Sequence, residues 1–173
     1  MDGGKANLPI APYAASEWSD AYFLKQALAN ASMSSDPNTR VGAVIVAAES
    51  IRMANGWNRF PAGIAVTMAR LEDRETKLRL MVHAEMVAIL WAAKHGVCLR
   101  GGTLYLAATD DSGLTWGGPP CTRCCVEIIE AGITQIVSLP QKSGLSKWHD
   151  DLNYARTILS EAGIGFREVS LVG

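Results

Sequence analysis

Apolar positions along the first third of the chain predict one helix followed by two strands. Over residues 16–33 the apolar residues lie in good helix-forming sequence, with Ser16 suited to the N-cap. Residues 41–48 and 51–57 are short, apolar and rich in β-branched side chains, which is typical of strands. Because only Glu49 and Ser50 separate these runs, we predict a hairpin.

Helical and strand-like patterns alternate in the rest of the chain. A charged segment over residues 67–80 predicts a helix that leads into another at His83, which Gly96 ends. Later strands are predicted at 103–108, 134–139 and 166–171, and later helices at 121–130 and 150–162. Residues 110–120, rich in Gly and Pro, predict a loop placed to cover a pocket.

Strands that alternate with helices favour a sheet with helices on both faces. Residues 140–165 form a connection long enough for the helical crossover that parallel strands need. The fold class that we predict is therefore α/β, with a five-stranded mixed sheet whose fourth and fifth strands are parallel.

Composition predicts a single globular domain. The chain has 173 residues, of which 49% are hydrophobic and 19% charged, and this balance excludes disorder. We expect a loose arm over residues 1–15 and one domain over residues 16–173. No apolar run approaches the ~20 residues of a membrane helix, and the first residues lack a secretory pattern, so we expect a cytoplasmic protein.

The net charge restricts the class of ligand. Proteins that bind a long phosphate backbone usually carry a surplus of Lys and Arg, whereas this chain has a net charge of −1. We therefore expect a small-molecule substrate rather than a nucleic acid.

Two short motifs predict a catalytic zinc site. They are His83-Ala84-Glu85 and Pro120-Cys121-Thr122-Arg123-Cys124. One imidazole and two thiolates suit Zn²⁺, and three protein ligands leave the fourth tetrahedral position open. The pattern H-x-E…P-C-x-x-C is the signature of zinc-dependent nucleobase deaminases, in which the acid carries protons and is not a ligand. We therefore predict that His83, Cys121 and Cys124 bind Zn²⁺ and that Glu85 is catalytic.

A structural zinc site is the main alternative for these residues. Such a site normally has four Cys or His ligands, and Cys98 or Cys125 is available as a fourth. Cys125 directly follows Cys124, however, and neighbouring residues on a helix point about 100° apart. We predict that Cys98 and Cys125 are instead small buried hydrophobic residues.

Further motifs make the chain resemble the cytidine deaminase superfamily, and within it the deoxycytidylate (dCMP) deaminases, over roughly residues 16–171. They are D-P-N-T-R-V-G-A at residues 36–43, G-W-N with F-P-A-G at residues 56–63, and R-E-T-K at residues 74–77 ahead of the histidine motif. The resemblance implies a cytidine deaminase-like three-layer fold and the zinc roles given above. It also implies hydrolysis of dCMP to dUMP with ammonia release, and a homo-oligomer of two or more chains.

The resemblance and the residue chemistry together suggest substrate contacts. Asn has the mixed donor and acceptor groups that a base edge needs, Arg can bind phosphate, and Trp can stack on a base. Two positions depart from the family pattern, since Val87 stands where Asn is usual and Arg59 where Gly is usual. The candidates are Asn58, Asn38, Ala84, Arg59, Val87 and Trp116, with Arg123 and Lys142 as further phosphate-binding cations.

Three other functions remain open. The first is deamination of another small amino-heterocycle, such as cytosine, isocytosine, a purine base or a nucleoside. The second is a tRNA adenosine deaminase, which shares G-W-N-R, although the long segment between Asn58 and His83 and the net charge argue against it. The third is a zinc-stabilised binding protein, which would not need Glu85.

Overall fold

The computed structural model describes residues 19–48, 52–142 and 148–171. Within these residues the chain forms six helices and six strands. The helices are α1 (Asp20–Ala31), α2 (Met68–Glu72), α3 (Arg74–Leu80), α4 (Ala84–Lys94), α5 (Thr122–Glu130) and α6 (His149–Glu161). The strands are β1 (Arg40–Val46), β2 (Met53–Trp57), β3 (Thr103–Thr109), β4 (Thr115–Trp116), β5 (Gln135–Ser138) and β6 (Gly165–Glu168).

The strands form one mixed sheet in the order β2-β1-β3-β5-β6. β1 is antiparallel to β2, with Gly42 opposite Trp57, and antiparallel to β3 on its other side. β3 and β5 are parallel, as are β5 and β6, where Val137 lies opposite Arg167. The predicted hairpin and the predicted parallel pair at the end of the chain are both confirmed.

The sheet has one strand more than predicted. β4 lies inside the segment predicted as a loop and pairs with the end of β3, where Trp116 is opposite Ala108. Two residues are too few to show an alternating pattern, so this strand leaves no periodicity in the sequence.

The start of the first helix also differs from the prediction. The N-cap of α1 is Ser19, whose hydroxyl accepts the Tyr22 N–H at 3.3 Å. Ser16 lies outside the described residues, as do the expected arm over residues 1–15 and the Glu49-Ser50 turn.

The predicted helix over residues 67–80 is two helices. The break falls at Asp73, which ends α2 and caps α3 by accepting the Thr76 N–H at 3.2 Å. Asp, like Ser and Thr, favours such caps because its short side chain reaches the free N–H groups of a helix start.

Helices cover both faces of the sheet, which confirms the three-layer arrangement. On one face, a core cluster joins α4, α5 and α6 to side chains such as Ile45 and Leu104. On the other face, α1 packs through Phe23 and Leu24 against Val44. Within the described residues no helix is both long and apolar enough to cross a membrane.

Candidate zinc centre

His83 lies at the start of α4, where it is the N-cap residue. The preceding residue is held in place by a two-residue bridge, in which the Arg59 and Val82 backbones exchange hydrogen bonds of 3.1 and 2.9 Å. Because the His83 side chain makes no cap hydrogen bond, its ring is free to act as a ligand.

Cys121 and Cys124 lie in the first turn of α5. Cys121 is the N-cap, and the buried Pro120 precedes it. The segment before Pro120 packs closely against the chain just after β5, where the Gly117 N–H donates to the Pro140 carbonyl at 2.9 Å. A Cβ at Gly117 would lie 2.2 Å from the Leu139 carbonyl oxygen, so only glycine fits there.

The three predicted ligands meet as expected. The Nδ1 atom of His83 is 3.5 Å from the Cys121 sulfur and 3.3 Å from the Cys124 sulfur. Zn–S bonds of about 2.3 Å and Zn–N bonds of about 2.0 Å at tetrahedral angles require S and N atoms about 3.5 Å apart. The arrangement therefore fits Zn²⁺. Among the described residues, these three form a group whose ligand atoms lie close enough together to hold one metal ion.

The three ligand groups strongly perturb one another. The pKa of Cys121 falls to about 4, first because it is hydrogen-bonded by Cys124 and then because His83 lies beside it. The pKa of His83 rises to about 9, mainly through its hydrogen bond to Cys121. The pKa of Cys124 rises, because Cys121 accepts its hydrogen bond and because it is buried. Binding of a metal ion must therefore displace protons from this cluster.

Glu85 lies in the first turn of α4 and is 4% exposed. Burial raises the pKa of its carboxyl group, and the nearby His83 partly opposes this rise. A carboxyl group with a raised pKa can both accept and donate a proton near neutral pH, as general acid–base catalysis requires. Glu85 is outside the cluster of three ligands.

Asn58 is buried, and its amide is used by the backbone. Its Oδ1 accepts the Val41 N–H at 2.8 Å, and its Nδ2 donates to the Thr39 carbonyl at 2.9 Å. These bonds attach the end of β2 to the entry of β1. Asn58 thus stabilises the pairing of these two strand ends. One N–H and one lone pair of its side-chain amide remain available to a substrate.

Asn38 lies in an exposed turn that is organised by Asp36. The buried Asp36 carboxylate accepts the N–H groups of Asn38 and Thr39 at 2.8 and 3.2 Å. It also pairs with Lys77 of α3 at 3.2 Å. The segment between β2 and α4 is therefore connected to the turn that carries Asn38.

Ala84 and Val87 are both buried on α4. The Ala84 methyl group belongs to the core cluster, so a substrate contact by this residue has to come from its backbone N–H. Val87 lies one turn after His83, whose carbonyl accepts its N–H at 3.0 Å, and it belongs to neither core cluster.

Trp116 lies on the zinc side of the sheet. Leu104 and Leu106 of β3 face α4 and α5, and Ala108 follows in the same alternation, so its partner Trp116 faces that side as well. The Lys142 amine lies 4.3 Å from the Trp116 ring centroid. It also pairs with Asp110 at 3.4 Å.

The other predicted cations lie at the surface. Arg59 is half-buried, with its guanidinium 5.9 Å from the Trp57 ring centroid. Arg123 is exposed and pairs with Glu127 at 3.4 Å. Arg59, Arg123 and Lys142 thus each have a different partner, respectively Trp57, Glu127 and Trp116 with Asp110.

A cleft of about 360 Å³ opens beside the ligands. Its lining comes from α3, α4, α5 and the segment before His83. The residues are Leu78, Arg79, Met81, Val82, His83, Met86, Arg123, Cys124 and Glu127. Sequence reasoning missed Glu127, although it lies three residues after Cys124 and therefore on the same helix face. Its charge favours the protonated form of His83 and raises the pKa of that ring.

The prediction for the two remaining cysteines is half correct. Cys125 is buried, and its thiol donates to the Pro120 carbonyl at 3.6 Å. Cys98 is exposed, so its predicted burial is wrong. It lies in the connection between α4 and β3, outside the helical pattern that would have assigned it a face.

Comparisons with known proteins agree with this site. The family model for the cytidine and deoxycytidylate deaminase zinc-binding region matches residues 17–139. The chain belongs to this family. Human deoxycytidylate deaminase is 31% identical over 88% of this chain and 79% of its own length. ComE operon protein 2 of Bacillus subtilis is 31% identical over 87% of this chain and 70% of its own.

Solved structures confirm the fold of this deaminase. The dCMP deaminase of cyanophage S-TIM5, solved in complex with dCMP and dUMP, superimposes with a TM-score of 0.66. The two share 24% sequence identity over 86% of this chain and 94% of the phage protein. The predicted cytidine deaminase-like fold is therefore confirmed, with six strands instead of five.

Proposed function

We propose that this deaminase hydrolyses dCMP to dUMP and ammonia. The observation that carries the proposal is the cluster of His83, Cys121 and Cys124 next to the buried Glu85. The deoxycytidylate deaminases among its relatives, and the dCMP-bound phage structure, support this substrate.

His83, Cys121 and Cys124 would hold the Zn²⁺ ion, which would make a water molecule acidic enough to serve as a nucleophile at neutral pH. We propose that Glu85 moves the protons. Its carboxylate takes one proton from the attacking water and delivers it to the N3 atom of the ring. It then takes the second proton from the new hydroxyl group on C4 and transfers it to the departing amino group, which leaves a carbonyl at C4. The C4–N bond breaks, a C4–O bond forms, and ammonia leaves. The raised pKa of Glu85 suits this role, because the carboxyl group must hold a proton between these transfers.

The substrate contacts are part of the same proposal. Asn58 precedes Arg59, which bridges to Val82 just before His83, and Ala84 directly follows His83. Trp116 lies on the zinc side of the sheet, with the Lys142 amine above its ring. We assign base contacts to Asn58, Asn38 and Ala84, and stacking to Trp116. The cations Arg59 and Lys142 are the candidates for the 5′-phosphate.

Ammonia release from a panel of compounds tests the substrate. The panel is dCMP, dCTP, cytidine, cytosine, isocytosine, adenine and guanine, with Glu85→Gln as the matched inactive control. We expect the wild type to deaminate dCMP and the Glu85→Gln variant to leave it unchanged. If isocytosine or a purine is turned over and no cytosine compound is, the proposed substrate is wrong and the protein acts on a different amino-heterocycle.

We further propose that the protein is a homo-oligomer and that residues 16–173 form its single domain, in the cytoplasm. Apolar side chains are exposed on three helices around the cleft, with Leu78 52%, Leu90 47% and Val126 53% exposed. A subunit interface would remove such side chains from water, and symmetric homo-oligomers are the common case. Light scattering should give at least twice the chain mass of 18.5 kDa. A monomer mass would contradict the oligomer.

A further inference from the structure

Asp151 of α6 forms hydrogen bonds with the first turn of α5. It lies in the first turn of α6, and its Oδ2 atom accepts the Thr122 N–H at 3.1 Å. Its backbone carbonyl accepts the Thr122 hydroxyl at 3.0 Å. Two hydrogen bonds thus connect α6 to the residue that follows Cys121.

These bonds fix the peptide group next to a zinc ligand. The Thr122 N–H and the Cys121 carbonyl belong to one planar peptide unit. Asp151 holds the N–H of this unit, and the Cys125 N–H donates to its carbonyl at 3.0 Å. Because both ends of the plane are held, the backbone of Cys121 is fixed on this side, and with it the direction in which its Cα–Cβ bond leaves the helix start.

Cys121 is the N-cap residue of α5 and also a predicted zinc ligand. An ordinary N-cap side chain accepts one of the free N–H groups at the helix start. Cys121 makes no such side-chain bond, and its sulfur lies 3.5 Å from the His83 ring. Asp151 accepts the Thr122 N–H, so this free donor at the start of α5 is satisfied from α6 and makes no demand on the Cys121 sulfur.

We propose that Asp151 is a positioning residue of the zinc centre, acting through Thr122 on Cys121. Groups that orient metal ligands typically contribute about 10–100-fold to metal affinity. The inference rests on the zinc site of the family and holds whichever amino-heterocycle is the substrate.

Zinc affinity of the full-length protein, measured by competition with a chromophoric chelator, tests the proposal. Asp151→Ala removes the carboxylate, whereas Asp151→Asn keeps an oxygen that can accept the Thr122 N–H. Asp150→Ala is the matched control, because Asp150 is an exposed acid in the same helical turn. The absorption spectrum of the Co²⁺-substituted protein reports the geometry of the thiolate ligands independently of activity.

We expect Asp151→Ala to weaken zinc binding about 10–100-fold and to change the Co²⁺ spectrum. Asp151→Asn and Asp150→Ala should remain close to the wild type in both measurements. A folded Asp151→Ala protein with wild-type zinc affinity and spectrum would overturn the proposal. If Asp151→Ala does not fold, Thr122→Val removes one of the two bonds and must itself weaken zinc binding relative to Thr122→Ser. Equal affinities of these two variants would also overturn the proposal.

Discussion

Gly56 of β2 lies directly against Ala84 of α4, with no room for a side chain between them. A Cβ atom at Gly56 would be 2.1 Å from the Ala84 carbonyl oxygen and 2.7 Å from the Ala88 nitrogen. Ala84 stands between His83 and Glu85 in the chain, so the sheet backbone supports the turn that presents both residues. The position of the predicted zinc ligand and of the predicted acid thus depends on a glycine in a strand.

Gly56→Ala should therefore displace the start of α4. Overpacking a core usually costs about 1–3 kcal/mol of unfolding free energy, and the contact here is with backbone, which cannot move aside alone. We expect a lower stability in chemical denaturation and a weaker zinc affinity.

Gly42→Ala is the control for this effect. A Cβ at Gly42 would lie 1.9 Å from the Ala27 carbonyl oxygen of α1, on the opposite face of the sheet. It should destabilise the protein to a similar extent with less effect on zinc affinity. Equal loss of zinc affinity in both variants would show that Gly56 acts only through global stability.

The roles of Glu85 and Cys121 should separate in metal analysis. Glu85→Ala should retain the zinc content of the wild type and lose activity by about 10²–10⁴-fold or more, because it removes the proton carrier but no ligand. Cys121→Ala should lose the metal. Elemental analysis of the purified variants measures both outcomes, and a metal-free but folded Glu85→Ala protein would mean that Glu85 is a ligand.

The zinc cluster could be predicted from the sequence because its motifs are local. The C-x-x-C spacing gives two sulfurs on one helix face, and Pro120 and Gly96 mark a helix start and a helix end. Interactions between distant residues left no such signal. Asp151 bonds to Thr122 across 29 positions of sequence, and its place in the first turn of α6 is already explained by the dipole of its own helix. Asn58 was predicted from its type to contact substrate, whereas its backbone partners depend on how β1 and β2 pair.

Tyr105 should contribute a pH-dependent part of the stability. Burial raises its pKa to about 12, and the charge of Asp20, which accepts its hydroxyl at 3.2 Å, adds to this rise. The phenol is therefore harder to deprotonate in the folded state than in the unfolded state, where its pKa is about 10. Its contribution is complete below pH 10 and is lost as the pH rises toward 12.

Denaturation of the wild type and Tyr105→Phe across pH 8–13 measures this contribution. The difference in unfolding free energy between them should shrink as the pH rises through the interval from about 10 to about 12. Tyr154→Phe is the control, because Tyr154 is 60% exposed and should show no such change. A constant difference between wild type and Tyr105→Phe would contradict the role of Tyr105.

Val87 should influence which substrates are accepted. A site that hydrogen-bonds a polar group discriminates strongly, whereas an apolar site rejects variants by only about 1–3 kcal/mol. We expect the wild type to accept dCMP less exclusively than relatives with Asn at this position, and Val87→Asn to shift preference toward dCMP. Relative rates across the substrate panel check this, and identical profiles for the two proteins would mean that position 87 does not set specificity.

The bridge between Arg59 and Val82 closes the segment between β2 and α4 at its base. The chain departs and returns through one pair of backbone hydrogen bonds, immediately before His83. Between these two residues the segment carries α2 and α3, and α3 lines the cleft. A change in the length or sequence of the segment would therefore reshape the wall of the cleft, while the residue before the metal ligand keeps its attachment to the end of β2.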